Sequence, residues 1–131
     1  MVIDPSALVA ILQLEPATPG LLKAIEMDPV RILSAAGLVE TSLVIEGRYG
    51  DSGTRDLDIF LRKARVEIAP VSAEQAEIAR EAWRRFGKGR HPASLNFGDC
   101  FSYALAKDRG ERLLFVGEDF SKTDVERVPL N

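Results

Sequence analysis

One cysteine in 131 residues leaves no partner for an intrachain disulfide. The chain also lacks an opening charged segment followed by an apolar run and a small-residue cleavage site, so a cytoplasmic protein is expected. No uninterrupted apolar stretch approaches the roughly 18 residues that a bilayer span needs, which excludes a membrane role. A single histidine beside the single cysteine argues against zinc, whose sites are built largely from those two side chains. Repeats, linkers and low-complexity segments are missing too. A net charge of −3 gives no overall basic field, so any nucleic acid must be held through a local positive patch.

What is present is an ordinary globular mixture, 46% hydrophobic and 28% charged. At this length roughly two-thirds of the unfolded surface can be buried, which suits one domain over residues 1–131. Strand and helix signals alternate along it. "MVID" is a short strand ended by an acid, and Pro5 then opens the helix "SALVAILQLE". Thr18 is the expected N-cap of a second helix, "GLLKAIEM". "VRILSA" reads as a buried strand, followed by a helix with Leu38, Val39, Leu43 and Val44 on one stripe, closed by glycines. A further amphipathic helix, "DSGTRDLDIFLRKA", leads to the strand "EIAPV". The helix "SAEQAEIAREAWRRFG" is capped near Ser72 and ends in Gly87. "NFGDCFSYALA" opens another, expected to end near Gly110; "RLLFV" is a strand and "ERVPL" a final short one. This alternation predicts an α/β fold, a parallel sheet covered by helices on both faces.

Asp99 is out of place in that pattern. It stands among Phe97, Cys100, Phe101, Tyr103, Ala104 and Leu105, where an ionised carboxylate without partners costs several kcal/mol. Asn96 three residues earlier offers it a capping-box role, but a cap leaves the apolar surroundings unexplained. Other acids sit where open sheets form sites, beyond the carboxyl ends of strands. Asp4 ends the first strand, Glu40 is expected to begin the helix after the second, and Asp119 follows "RLLFV". Each has a bland alternative: an N-cap for Asp4, with Ser6 able to orient it; a dipole-favoured helix acid for Glu40; a solvated loop acid for Asp119, with Glu118 beside it. Together they repel one another unless a multivalent cation lies between them, and an all-oxygen set suits Mg²⁺ or Mn²⁺. Such a cluster activates water and stabilises the charge of phosphodiester cleavage. The basic loop "RRFGKGRH" supplies Arg85, Lys88, Arg90 and His91 to grip phosphates, or else is a solvated helix end complementing the dipole.

Other chemistries fail on inspection. "GKG" is no phosphate-binding P-loop, because Ala82 stands where a glycine is needed and no Ser or Thr follows Lys88. A helix rather than a strand precedes that loop, which excludes a dinucleotide fingerprint, and Ser6 has no G-x-S-x-G context.

The segments "MVIDPSALVAIL", "LVETSLVIEGRYG", "FGKGRHPASLNFGDCFSYALAK" and "LLFVGEDFSKTD" resemble PIN-domain proteins of the VapC toxin type nearly end to end. The stretch from Phe86 to Lys107 is the most specific part. The resemblance implies a metal-dependent endoribonuclease, the toxin of a type II toxin–antitoxin pair, on a parallel sheet of about five strands. It implies Asp4, Glu40 and Asp99 as Mg²⁺ or Mn²⁺ ligands. The fourth acid carries over less directly, since the family often has an acid where this chain has Gly117; Asp119 is chosen by proximity, with Glu118 the alternative. Pro5 replaces a commoner threonine, leaving Ser6 as support. A homodimer, a cognate VapB-type antitoxin that occupies the pocket, and DNA contact only through that antitoxin are implied as well. Two rivals stand beside this reading: a phosphatase with Asp4 as nucleophile, which would want an acid at position 6, and a non-catalytic RNA- or partner-binding module.

Overall fold

The computed structural model describes residues 1–130, and residue 131 lies outside the described part. In chain order the elements are β1 (Val2–Ile3), α1 (Pro5–Leu12), α2 (Thr18–Met27), β2 (Ile32–Ser34), α3 (Ala35–Lys63), β3 (Glu67–Ala69), α4 (Ala73–Phe86), α5 (Phe97–Arg109) and β4 (Leu113–Leu114), followed by a 3-10 turn over Asp119–Lys122. The strands pair in parallel in the order β3-β2-β1-β4. Among the described residues the sheet has four strands, one fewer than expected. The "ERVPL" segment contributes an isolated bridge from Arg127 to Leu113, on the side of β4 away from β1. The pairing there consists of the Leu113 N–H donating to the Glu126 carbonyl and the Val128 N–H donating to the Leu113 carbonyl.

Side-chain alternation along these short strands builds two cores, one on each face. Val2, Ile32 and Leu113 join Ala79, Ala82 and Phe86 of α4 and Tyr103, Ala104 and Leu105 of α5. Their neighbours Ile3, Leu33 and Leu114 join Ala7, Leu8 and Ile11 of α1 and Leu21 and Ile25 of α2 on the other face. Both faces being covered, the strands read as continuous apolar runs.

Three local expectations are corrected. Thr18 is not a cap: its hydroxyl donates to the Ala10 carbonyl at 3.1 Å, and the cap position is Ala17, which makes no side-chain bond. The stripe on α3 is Gly37, Thr41 and Ile45, whereas Val39 and Leu43 are 58% and 68% exposed. Apolar residues occupy two overlapping helical faces there, and the close approach of α3 to Leu33 and Pro5 at Gly37 decides which one turns inward. Phe97, expected in the core, is 81% exposed, stacked edge-to-face on Phe101. The two helices expected over residues 37–50 and 51–64 are both present, meeting in a kink within α3 at Gly50, whose φ of 63° and ψ of −149° leave helical space for a single residue.

Candidate active site

From β1 the chain adds β2 and β3 on one side and returns to place β4 on the other, so the sheet order reverses about β1. A crevice forms at such a switch point, beyond the strand ends. Asp4 immediately follows β1 and is buried. It does cap α1: Oδ2 accepts the Ser6 N–H at 2.9 Å, ahead of Pro5 at the first helical position. Its other oxygen, Oδ1, is buried with no hydrogen-bond partner. Burial pushes the Asp4 carboxyl up from its ordinary range; the nearby Ser102 and Ser6 hydroxyls temper this without reaching Oδ1 in bonding geometry, and the negative charge of Asp119 adds to it. Ser6 is fixed in turn, its hydroxyl oxygen accepting the Val116 N–H beyond β4 at 3.1 Å.

Asp99 also carries two roles. Asn96 caps α5 with Oδ1 accepting the Asp99 N–H at 2.9 Å, and the Asp99 carboxylate accepts the Asn96 N–H at 3.1 Å, a complete capping box. Those bonds and the helix N-terminus favour the charged form. Burial outweighs them, and with the charges of Asp4, Asp119 and Glu40 nearby it pushes the Asp99 carboxyl up to about 7. Glu40, half-buried in the second turn of α3, is raised by burial first and by Asp4 second. It lies against Gly98 rather than along the Leu43–Val44 stripe that the sequence suggested.

Asp119 opens the 3-10 turn and is exposed, yet its charge is felt at both Asp4 and Asp99. Glu118 is turned to Ser121, whose hydroxyl donates to it at 3.2 Å. Gly117 has φ of 99°, a conformation that side-chain-bearing residues rarely adopt. Two contributors were missed in the sequence. Ser102 lies three residues after Asp99, on the same face of α5, and is buried beside Asp4; that spacing was the available signal. Gly98 is the other, and nothing in the sequence pairs it with Glu40.

The basic residues are less uniform. Lys88 and Arg90 are exposed in the turn between α4 and α5, Arg90 lying 4.2 Å over the Trp83 ring. His91 is held, Nδ1 accepting the Ala93 N–H at 3.0 Å and the ring edge-on to Phe86. Arg85 sits 4.6 Å over Phe86 and 3.8 Å from the Asp124 carboxylate, so its charge is partly committed within the fold.

A hard divalent cation fits this donor set. None of Asp4, Glu40, Asp99 and Asp119 takes part in a salt bridge among the described residues. One buried carboxylate oxygen is orphaned, and every candidate donor is an oxygen. Among the described residues no three acids, histidines or cysteines are drawn into a finished cage, as befits carboxylates that repel one another.

Comparison with known proteins bears on the family and the fold. The PIN domain family matches residues 1–126. The chain is 57% identical over 128 residues to a protein of Mycolicibacterium smegmatis called Ribonuclease VapC, covering 98% of this chain and 99% of that one. It is 54% identical over 130 residues to Ribonuclease VapC30 of Mycobacterium tuberculosis, covering 99% of each. The solved structure of Mycobacterium tuberculosis VapC20, described as a Sarcin-Ricin loop cleaving toxin, superposes with a TM-score of 0.78 at 20% identity, over 97% of each chain. A VapBC2 complex of Rickettsia felis, bound to a DNA fragment from its promoter, superposes with a TM-score of 0.72 at 16% identity, over 98% of this chain and 96% of that one. The chain therefore belongs to the PIN-domain family. Within that family it belongs with the VapC ribonucleases.

Proposed function

We propose that this ribonuclease hydrolyses RNA phosphodiester bonds with Mg²⁺ or Mn²⁺ held by Asp4, Glu40 and Asp99, and that Asp119 completes the site. The observation carrying this reading is the buried, unpaired Asp4 Oδ1 beside Asp99, whose carboxyl the neighbouring acids help to raise. The bound cation supplies a lowered water pKa and stabilises charge on the phosphoryl oxygens. The protein's own part is orientation. Ser6 and Ser102 steady Asp4, the Asn96 capping box steadies Asp99, and Glu40 closes the site from α3. Asp119 is preferred to Glu118 because its charge reaches Asp4 and Asp99, while Glu118 is bonded to Ser121.

Lys88 and Arg90 are the residues offered to the RNA backbone; His91 and Arg85 flank them, Arg85 less available because of Asp124. Lys88→Ala is expected to weaken RNA binding without altering sequence preference and to lower the salt slope of log K by about 0.7, the single-strand value per phosphate contact. A salt slope unchanged in filter-binding titrations would remove Lys88 from the interface.

The same reading makes residues 1–131 a single PIN domain, cytoplasmic, homodimeric and restrained by a cognate VapB-type antitoxin, with DNA reached only through that antitoxin. No helix among the described residues is long and apolar enough to cross a membrane. Exposed Phe97 and Trp83, flanking an apolar groove between α4 and α5, offer surface for a second copy.

The test is incubation of purified protein with labelled single-stranded RNA, with Mn²⁺ and then with excess EDTA. Cleavage that Mn²⁺ supports and EDTA stops is the expected result. RNA that is retarded in a gel but never shortened indicates a binding module instead, and a trapped phospho-aspartate at Asp4 indicates the phosphatase.

A further inference from the structure

We propose that Gly98 is a positioning residue for the metal site: the side chain it lacks leaves the recess in which the Glu40 carboxylate lies. Gly98 is the second residue of α5, directly before Asp99, and its backbone is helical. Its φ is not among the positive values found at Gly50, Gly89, Gly110 and Gly117, so conformation does not demand glycine here. Helix propensity alone favours alanine at a helical position by about 1 kcal/mol. Space decides the matter. A Cβ built on Gly98 would lie 2.8 Å from Glu40 Cδ and 3.3 Å from Oε2, and closer still to Oε1. Separations below 3.0 Å are not sustained by real Cβ atoms, so the carboxylate would have to leave.

Among the described residues no hydrogen bond or salt bridge holds the Glu40 carboxylate. Its raised pKa has burial and the charge of Asp4 as causes, with no hydrogen bond among them. Contact with the first turn of α5 is thus what brings this α3 carboxylate to the carboxylates beyond β1 and on α5, and its charge is felt at Asp99. Glycine at 98 sets how near the α3 ligand can come to the α5 ligand.

The inference rests on the metal-site reading above. Its test is Mn²⁺ titration by calorimetry of the wild type, Gly98→Ala, Glu40→Asp and the double variant, with thermal unfolding of each in EDTA. Gly98→Ala is expected to weaken Mn²⁺ binding roughly 10- to 100-fold, the range for displaced support of a metal ligand. Its unfolding temperature in EDTA is expected to stay level or rise, because without the cation Glu40 can swing outward. Glu40→Asp alone is expected to weaken binding, whereas in the Gly98→Ala background it is expected to strengthen binding, the shorter side chain making room for the new methyl. A substitution whose effect changes sign with its neighbour reports direct contact, which a purely structural glycine would not produce. Equal Mn²⁺ affinity for the wild type and Gly98→Ala overturns the inference alone. So does a weakened Gly98→Ala that Glu40→Asp fails to improve, or one that unfolds earlier in EDTA. A wild type that binds no Mn²⁺ overturns the metal-site reading, and the inference with it.

Discussion

Asp99→Asn is expected to abolish RNA cleavage while leaving the fold intact. Charge stabilisation by a bound cation is worth several kcal/mol in the transition state, and each 1.36 kcal/mol is tenfold in rate. Loss of one anionic ligand should therefore lower the cleavage rate by on the order of 1,000-fold. The fold survives because asparagine keeps an oxygen where the Asp99 carboxylate now accepts the Asn96 N–H, so the capping box at the start of α5 can persist. The substitution also removes a charge that burial and three neighbouring acids disfavour. Metal-free Asp99→Asn should thus unfold at a higher temperature than the wild type at pH 8. Rates from single-turnover cleavage at saturating Mn²⁺, with circular dichroism melts in EDTA, check both halves. Wild-type activity in this variant would remove Asp99 from the chemistry.

The stability of the metal-free protein is expected to fall as pH rises from 5 to 8. In the unfolded chain Asp99 loses its proton near its ordinary value of 3.8, but in the folded protein it holds the proton until about 7. Between those values the native state binds more protons than the unfolded one, so unfolding becomes easier with every step upward in pH, and the loss is complete above about 7. Asp4 and Glu40 are raised as well and act in the same direction. Asp28, held low by the Val30 N–H and the N-terminal ammonium, and Asp124, held low by Tyr103 and Lys107, act oppositely, but below the ordinary carboxylate range and outside this window. After discounting for partial solvent screening, the loss amounts to about 1–3 kcal/mol, several degrees in melting temperature for a chain of this size. Saturating Mn²⁺ at pH 8 should restore it by binding the folded state alone. A melting temperature in EDTA that stays flat from pH 5 to 8 would show that these carboxylates do not interact as described.

Asp4, Asp99 and Asp119 were legible as candidates because each stands at the start or end of an element, where one-dimensional punctuation is strongest, whereas Glu40 lies a turn inside α3. Asp4 before Pro5 and Asp99 after Asn96 are visible as caps, and the structure gives each of them a capping bond while bringing the charge of Asp4 near Asp99. Partner choice was less legible. Val39 and Leu43 look like core residues on a helical wheel, yet lie outside, because the approach of α1 at Gly37 rotates α3 so that Thr41 and Ile45 face in. Phe97 looked buried for the same reason, and Arg85 looked free although Asp124, 39 residues onward, stands beside it. Asp119 and Glu118 are adjacent, and only the course of the chain after β4 turns one toward the acids and the other toward Ser121.

By itself the sequence determined the order of strands and helices and the caps at Asp4, Ser72 and Asn96. Those follow from backbone dihedral preferences and from alternation of apolar side chains, which act over a few neighbouring positions. Only the tertiary structure decided that Asp4 keeps an oxygen without a partner, that Ser102 stands beside it, and that Glu40 fits against a glycine 58 positions away. Burial and charge repulsion depend on distance through space, which the parallel crossovers of the sheet set and local spacing does not.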